Sequence, residues 1–333
     1  MSRRAASIAV GVALSWTLAV PAAGARPLVA GLLTTSPVTQ QKSSTSPRGG
    51  PVTVVAAGDI ACDPQRNPLF NKGWGSGQWC RANAVEKVIQ AADPAAVLAL
   101  GDEQYDDGRL QAFQQSYALS WGQQLGRTYA VPGNHEYYVS HTANGYFTYF
   151  GSHAGKTRNG WYTARIGEWR LIALNSNCDF VRCVAGSRQW SWLQRVLTRK
   201  PAPCTVAIMH HPLISSGPHG DDEMHARPLW KLLYRAGVDL ALVGHDHDYE
   251  RFAPVNALGV RDRTHGIREF VVGTGGAEHY PITTVHRYSQ VHNAKTFGVL
   301  ELSLAPGRYS WHFDPALGAT FTDSGSATCH GAP

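Results

Sequence analysis

Charge is sparse in this 333-residue chain: Asp, Glu, Lys and Arg make up 16% of it and the formal balance is +6. The basic residues stand singly or in pairs, without the dense Lys/Arg cluster interleaved with aromatics that a nucleic-acid groove needs. No nucleic-acid partner is therefore expected. No CxxC pair occurs, which argues against a zinc ribbon or a thioredoxin-type redox centre. A GxxxxGKS or GxxxxGKT phosphate loop, a GxGxxG dinucleotide turn and a GxSxG nucleophile elbow are all missing, so ATP use, redox cofactors and serine hydrolysis lack support. After residue 25 no apolar run approaches the roughly 20 residues of a membrane span, and the mature chain is expected to be soluble.

What is present begins with an export signal. Met1-Ser2-Arg3-Arg4 is a basic start, Ala5 to Val20 is an apolar run, and Ala23-Gly24-Ala25 offers an Ala-x-Ala cleavage site. Residues 1–25 are read as a signal peptide and the protein as secreted or extracytoplasmic. An uncleaved anchor is the minor alternative, because Ser15, Thr17 and several alanines weaken the run. Cleavage takes away Arg3 and Arg4 and leaves +4, a mild attraction for anionic substrates. Residues 26–50, rich in Ser, Thr, Pro, Gln and Gly, read as a flexible leader.

The six cysteines all follow the signal, and an even count in an exported chain favours disulfides. Fifteen pairings are possible. Proximity suggests Cys62 with Cys80 and Cys178 with Cys183, leaving Cys204 to hold the C-terminal tail through Cys329.

From Val52 onward, short apolar runs alternate with helical stretches, the pattern of a layered α/β domain, here expected over residues 51–315 with 316–333 as a tail. Strand-like runs at 52–57, 95–100 and 128–131 lead into Gly58-Asp59, Gly101-Asp102 and Gly133-Asn134-His135. Runs at 205–209 and 238–243 deliver His210 and Gly244-His245-Asp246-His247. Helices are expected at 81–92, 110–125, 187–198 and 228–236, a hairpin at 161–175, and closing strands at 268–272, 297–304 and 308–313. Ligands in open α/β sheets collect beyond the C-terminal ends of strands. Five strands here end in side chains that bind metals.

A lone Gly-Asp is a common turn, and a lone histidine is commonly a packed or surface residue. The recurrence is what counts: Asp59, Asp102, Asn134, His210, His245 and His247 each follow an apolar strand on a short Gly- or Pro-containing turn. Carboxylate, amide oxygen and imidazole suit zinc, iron or manganese, and one shared carboxylate can bridge two ions. Two such cations activate water and hold phosphate oxygens.

The blocks Gly58-Asp59, Gly101-Asp102-Glu103-Gln104-Tyr105, Gly133-Asn134-His135-Glu136, Met209-His210 and Gly244-His245-Asp246-His247 resemble, in order and spacing, those of the calcineurin-like metallophosphoesterases. Tyr105, and the run His247-Asp248-Tyr249-Glu250-Arg251, resemble the purple acid phosphatases within that superfamily. The likeness spans about residues 52–315. It implies a four-layer sandwich of two mixed β-sheets packed face to face and flanked by helices.

The resemblance further implies that Asp59, Tyr105 and His247 hold a ferric ion, that Asn134, His210 and His245 hold a divalent ion (zinc, iron or manganese), and that Asp102 bridges them. Ala207 stands where the family usually has valine, an exchange between apolar strand residues. The family pattern favours His210 over the adjacent His211 as ligand. His135 and His219 are the implied catalytic histidines, with His225 a rival to His219 and a solvated loop role the alternative for it. By the same resemblance, a hydroxide at the two-metal centre attacks phosphorus in line, His135 helps offset charge on the phosphoryl oxygens, and His219 protonates the departing alcohol.

Glu136 and Asp246 adjoin ligands and are expected to hydrogen-bond rather than coordinate, and Glu250 and Arg251 to pair with each other. The aromatics Tyr137, Tyr138, Tyr146, Phe147, Tyr149 and Phe150 either line a substrate pocket or pack an irregular segment. The stretch from Trp74 to Trp79, flanked by Cys62 and Cys80, reads as a stapled loop near the first aspartate. Some 33 residues separate the cleavage site from Asp59, too few for the N-terminal β-sandwich of larger purple acid phosphatases, so one catalytic domain is expected. The expectation is an exported phosphomonoesterase acting on small phosphate esters. A phosphodiesterase or nucleotide pyrophosphatase on the same core is the alternative, and a secreted binding protein that lost activity is a third reading, disfavoured by the complete ligand set.

Overall fold

The computed structural model describes residues 50–199, 202–220 and 226–330, so the expected signal peptide, nearly all of the leader, and His225 lie outside the described residues. The strands are β1 (Val52–Ala57), β2 (Ala96–Ala99), β3 (Thr128–Ala130), β4 (Tyr162–Ile166), β5 (Trp169–Ala173), β6 (Thr205–Ile208) and β7 (Leu240–Val243). They continue with β8 (Tyr249–Phe252), β9 (Arg268–Val272), β10 (Ser289–Asn293), β11 (Gly298–Ala305), β12 (Arg308–Pro315) and β13 (Ser324–Thr328). The α-helices are α1 (Ala82–Ala92), α2 (Leu110–Gln115), α3 (Asn144–Phe150), α4 (Arg188–Thr198) and α5 (Arg227–Arg235).

Two mixed sheets result, one ordered β13-β12-β11-β1-β2-β3 and the other β10-β8-β9-β7-β6-β5-β4. β1, β2 and β3 run parallel, as do β5, β6, β7 and β9. These inner strands are covered on both faces and therefore read as unbroken apolar runs rather than alternating ones. The two-residue period still sorts their side chains. Val206, Ile208, Leu240 and Leu242 face the core between the sheets, while Ala207, Met209, Ala241 and Val243 pack with Leu193 of α4 and Leu229, Trp230 and Leu233 of α5. Trp169 on β5 donates its indole N–H to the Ala305 carbonyl on β11, pinning one sheet to the other. The expected two-sheet α/β sandwich is what the chain forms.

The helix expected over 110–125 stops at Gln115 and gives way to 3-10 turns at Tyr117–Leu119 and Trp121–Arg127. Ser116 and Ser120 turn their hydroxyls to backbone carbonyls, and a Cβ on Gly122 would collide with the Tyr149 hydroxyl. The helix expected from Ser187 starts one residue later because Ser187 is its cap, accepting from the Trp190 N–H at 3.3 Å. β10 and β13 were not expected, since Ser289–Asn293 and Ser324–Thr328 are polar edge strands with little alternation to read. The segment expected as a tail thus supplies β13, paired to β12.

All three disulfides are the expected ones, Cys62–Cys80 and Cys178–Cys183 suggested by proximity and Cys204–Cys329 left by them. The last joins residues 125 apart, a closure worth about 5 kcal/mol in the chain-entropy picture.

Glu250 and Arg251 do not pair with each other. On a strand their side chains project to opposite faces, and Glu250 accepts from the Ser216 N–H and hydroxyl while Arg251 makes a two-point contact with Asp323, at 2.7 and 3.0 Å. Asp323 also accepts from the Tyr249 hydroxyl at 2.7 Å and the Trp311 indole at 3.2 Å. Burial pushes its carboxyl up, but the bonds from Arg251 and Tyr249 and the Arg251 charge prevail, leaving it below the usual value. A carboxyl depressed in the folded state contributes stability that is complete above the unfolded pKa near 3.9 and fades as pH falls through the native value. Asp323→Asn should therefore cost about 2 kcal/mol at neutral pH, a fall of about 4 °C in melting temperature, and the gap from wild type should close in strong acid. A gap that persists unchanged in acid would assign the loss to packing instead of charge.

Candidate active site

Because the inner strands of each sheet run parallel, their C-terminal ends share one edge, and that is where the ligand-type residues emerge. The backbone joins the two edges where the Gly58 N–H after β1 bonds the Val272 carbonyl of β9 at 2.9 Å, and beside it the Asp59 N–H ties β1 to the turn after β2 through the Gly101 carbonyl at 3.1 Å. Space at this seam is minimal. A Cβ on Gly133 would fall on the Asp102 carboxylate, and one on Gly101, at φ +90°, would lie 2.6 Å from His210 Nδ1. Asp59, Asp102 and His245 themselves adopt left-handed backbone angles, with φ of 60°, 48° and 74°. Such conformations cost of order 1–3 kcal/mol each for residues other than glycine and cluster at functional sites.

Two groups of donor atoms meet there. Tyr105 Oη lies 2.8 Å from Asp59 Oδ1, 2.8 Å from His247 Nε2 and 3.2 Å from Asp102 Oδ2. His210 Nε2 lies 3.0 Å from Asn134 Oδ1 and 3.3 Å from the same Asp102 Oδ2. His245 completes the second group, its ligand atom lying within 4.8 Å of those of His210 and His211. One oxygen of Asp102 is therefore common to both groups. All seven expected ligand residues are brought together.

The histidines are oriented by their back sides. Nδ1 of His210 bonds the Leu100 carbonyl at 2.9 Å, and Nδ1 of His247 bonds the Glu278 carbonyl at 3.1 Å. A carbonyl only accepts, so in each ring Nδ1 carries a proton and Nε2 faces the centre, the usual presentation of a metal-binding imidazole once a cation takes the place of the Nε2 proton. Asn134 is set likewise: its amide N–H donates to Tyr138 Oη at 2.7 Å, which turns the amide oxygen toward His210.

The electrostatics ask for cations. Burial pushes His210 down, yet the Asp102 charge and hydrogen bond, with Asp59, lift it to about 10. Burial likewise lowers His247, and Asp59 more than reverses this. Burial and the Asp102 and Asp59 charges hold the Tyr105 phenol well above its ordinary value. His245 and His211, by contrast, are kept neutral by burial and by neighbouring imidazoles. Buried oxygen ligands that gather positive charge on the Nε2 sides of His210 and His247, beside the neutral imidazole of His245, form a donor set that fits two metal ions in place of those protons.

Around this centre, Glu136 behaves as expected of a residue that orients ligands, accepting from the N–H groups of Gly133, Asp102 and Gln104. Asp246 accepts from the His219 N–H at 3.0 Å. His211 Nδ1 bonds the Ser176 hydroxyl at 2.7 Å, consistent with a packed role. His135 donates from Nδ1 to the Asp106 carbonyl at 2.7 Å, and its Nε2 lies 3.8 Å from Asp102 Oδ2. The His219 ring centre is 4.5 Å from that of His245. Sequence reasoning missed Tyr280, stacked on His247 at 3.8 Å, and left Tyr138 ambiguous. Of the aromatic cluster, Tyr137, Tyr146, Phe147 and Phe150 are buried, whereas Tyr138 is 54% exposed at the site. The only available signal for Tyr280 was its closeness to the Gly-rich run 273–276.

Comparisons with known proteins bear on the family and the fold. Purple acid phosphatase 21 of Arabidopsis thaliana is 43% identical over 102 residues, 29% of this chain and 23% of that protein. Acid phosphatase type 7 of Danio rerio is 30% identical over 203 residues, 51% of this chain and 44% of that protein. The chain thus spans less than half the length of these curated relatives. The purple acid phosphatase structure from yellow lupin seeds superposes with a TM-score of 0.67 at 21% identity, over 84% of this chain and 54% of that one, a likeness of fold. Residues 52–249, more than half of the chain, match the model of the calcineurin-like phosphoesterases, and the chain belongs to that family.

Proposed function

We propose that this chain is a metal-dependent phosphatase of the purple acid type, exported from the cytoplasm and acting on small phosphate monoesters. The single observation that carries the reading is the pair of donor groups sharing Asp102 Oδ2, with the phenol of Tyr105 in one of them. Relatives named as purple acid phosphatases support it. Export is supported by the signal-like residues 1–25 and by three disulfides, which persist in oxidising compartments. Among the described residues, no helix is long and apolar enough to cross a membrane.

In this reading Asp59, Tyr105 and His247 hold a ferric ion, Asn134, His210 and His245 hold a divalent zinc, iron or manganese, and Asp102 serves both. Two bound cations supply an activated water and neutralise phosphate oxygens. The remaining work falls to the chain. His135, its Nδ1–H fixed on the Asp106 carbonyl, turns Nε2 toward the phosphate and in its protonated form donates to an equatorial oxygen. His219, part-buried and anchored through its backbone to Asp246, delivers the proton that the departing alkoxide takes. The Tyr138 and Tyr280 rings flank the opening, next to His135 and His219.

Metal analysis and a visible spectrum of the purified mature protein test this directly. The expected result is two ions per chain and a tyrosinate-to-iron charge-transfer band that disappears in Tyr105→Phe. Two metals without such a band would remove the purple acid assignment and leave a general metallophosphoesterase, and a metal-free protein would sink the enzyme reading. Substrate profiling that finds only diester cleavage would overturn the monoester part.

A further inference from the structure

A second cavity lies apart from the metal-type cluster. It has a volume of about 680 Å³ and is lined by both aromatic and cationic residues. Tyr137 and Tyr138 separate the two places: Tyr138 turns to Asn134, while Tyr137 lines the cavity and donates or accepts nothing at the cluster, its hydroxyl accepting from Asn175 at 2.7 Å. The volume lies in the range of cavities that enclose a small organic ligand.

Its lining carries Arg158, Arg182 and Arg188 and no Asp or Glu. Among the described residues, no carboxylate lies within ion-pair distance of these three guanidinium groups. Arg158 is held by Asn144 Oδ1 at 2.9 Å and lies over the Phe147 ring, so its charge remains available. The apolar side is equally defined. Phe180 stacks on Tyr137 with ring centres 4.7 Å apart and planes 13° from parallel, and Trp161 stands in the same wall. Phe180 sits inside the Cys178–Cys183 loop, which fixes it before any ligand arrives.

Uncompensated guanidinium groups select an anion, and they do so with planar, paired donors. A rigid aromatic wall selects a flat ring. We infer that this cavity is a second binding site, separate from the metal-type centre, for a small aromatic anion: a planar ring bearing a carboxylate, sulfonate or phosphate group. The inference does not depend on the proposed phosphatase activity, since it rests on other residues.

The test uses a probe without phosphorus, 8-anilinonaphthalene-1-sulfonate, whose emission rises on binding. Titrated into the intact mature protein, it should bind saturably at one site per chain, with an affinity that Tyr105→Phe leaves unchanged. The Arg182→Ser/Arg188→Ser double variant should bind it at least about tenfold more weakly, with an unchanged melting temperature. The corresponding Arg→Lys pair, which keeps the charge but not the paired planar donors, should recover part of the affinity and guards against a loss caused by misfolding. The neutral analogue N-phenyl-1-naphthylamine should bind wild type at least about tenfold more weakly than the sulfonate. Absence of saturable binding, equal affinity in the serine variant or equal affinity for the neutral probe would overturn the site. A weakening in Tyr105→Phe would overturn its separateness from the catalytic centre.

Discussion

Asp102→Ala should reduce bound metal from two ions per chain to one or none and lower hydrolysis of an aryl phosphate by on the order of 10³-fold. Several kcal/mol of charge stabilisation rest on each cation, and each 1.4 kcal/mol is a decade in rate. The effect is large because one oxygen is shared: Asp102 Oδ2 lies 3.2 Å from Tyr105 Oη and 3.3 Å from His210 Nε2, so its loss opens both donor groups at once. The other oxygen accepts the His135 N–H at 2.9 Å, so the same change also loosens the turn that presents His135. Metal analysis and kcat/KM measured on the same sample decide the matter. Two ions retained with activity within tenfold of wild type would show that Asp102 does not join the two groups.

Glu136→Ala should be the most destabilising exchange at the site. This carboxylate is 1% exposed and accepts from three backbone N–H groups, those of Gly133 at 2.7 Å, Asp102 at 3.0 Å and Gln104 at 3.2 Å. Burial and the Asp102 charge push it up to about 8, while the Gly133 and Gln104 N–H groups work in the opposite sense. Removing it leaves three buried donors unpaired, and at about 1–3 kcal/mol each the loss should reach at least about 3 kcal/mol, a large part of a typical stability of roughly 5–15 kcal/mol. Glu136→Gln keeps the shape but sets an amide N–H against one of those donors, so an intermediate loss is expected. Denaturant unfolding monitored by circular dichroism checks this. A loss under about 1 kcal/mol for the alanine variant would mean that other groups take over the three bonds.

The site was more legible in the sequence than the fold around it. Asp59, Asp102, Asn134, His210 and His245 could be found because each terminates a strand buried on both faces, and such a strand announces itself as an apolar run closed by a small turn residue. The disulfides were legible because two of the three span short stretches. Features made by segments remote in the chain left no local trace. Arg251 finds Asp323 across 72 residues, and Glu250 finds Ser216 across 34, which adjacency in sequence disguised as a pair. The break after α2 comes without any proline: the Ser116 hydroxyl bonds the Cys62 carbonyl, 54 residues away in the chain, and only a residue without a Cβ fits at Gly122 beside Tyr149. Tyr138 and Tyr280 matter through what they touch, and an aromatic residue in a loop carries no mark of its partner.

The Cys204–Cys329 bridge has a mechanical meaning beyond its entropy. β13 is the outermost strand of its sheet, and an outermost strand ordinarily peels away one hydrogen bond at a time when its end is pulled. Here the end is bolted to the residue just before β6, deep in the opposite sheet. Tension applied beyond Cys329 therefore bypasses β13 and enters the molecule at β6, where strands must slide past one another together before anything gives. The bridge makes this edge of the sandwich a protected one, and reduction alone should be enough to turn its tearing from abrupt to gradual.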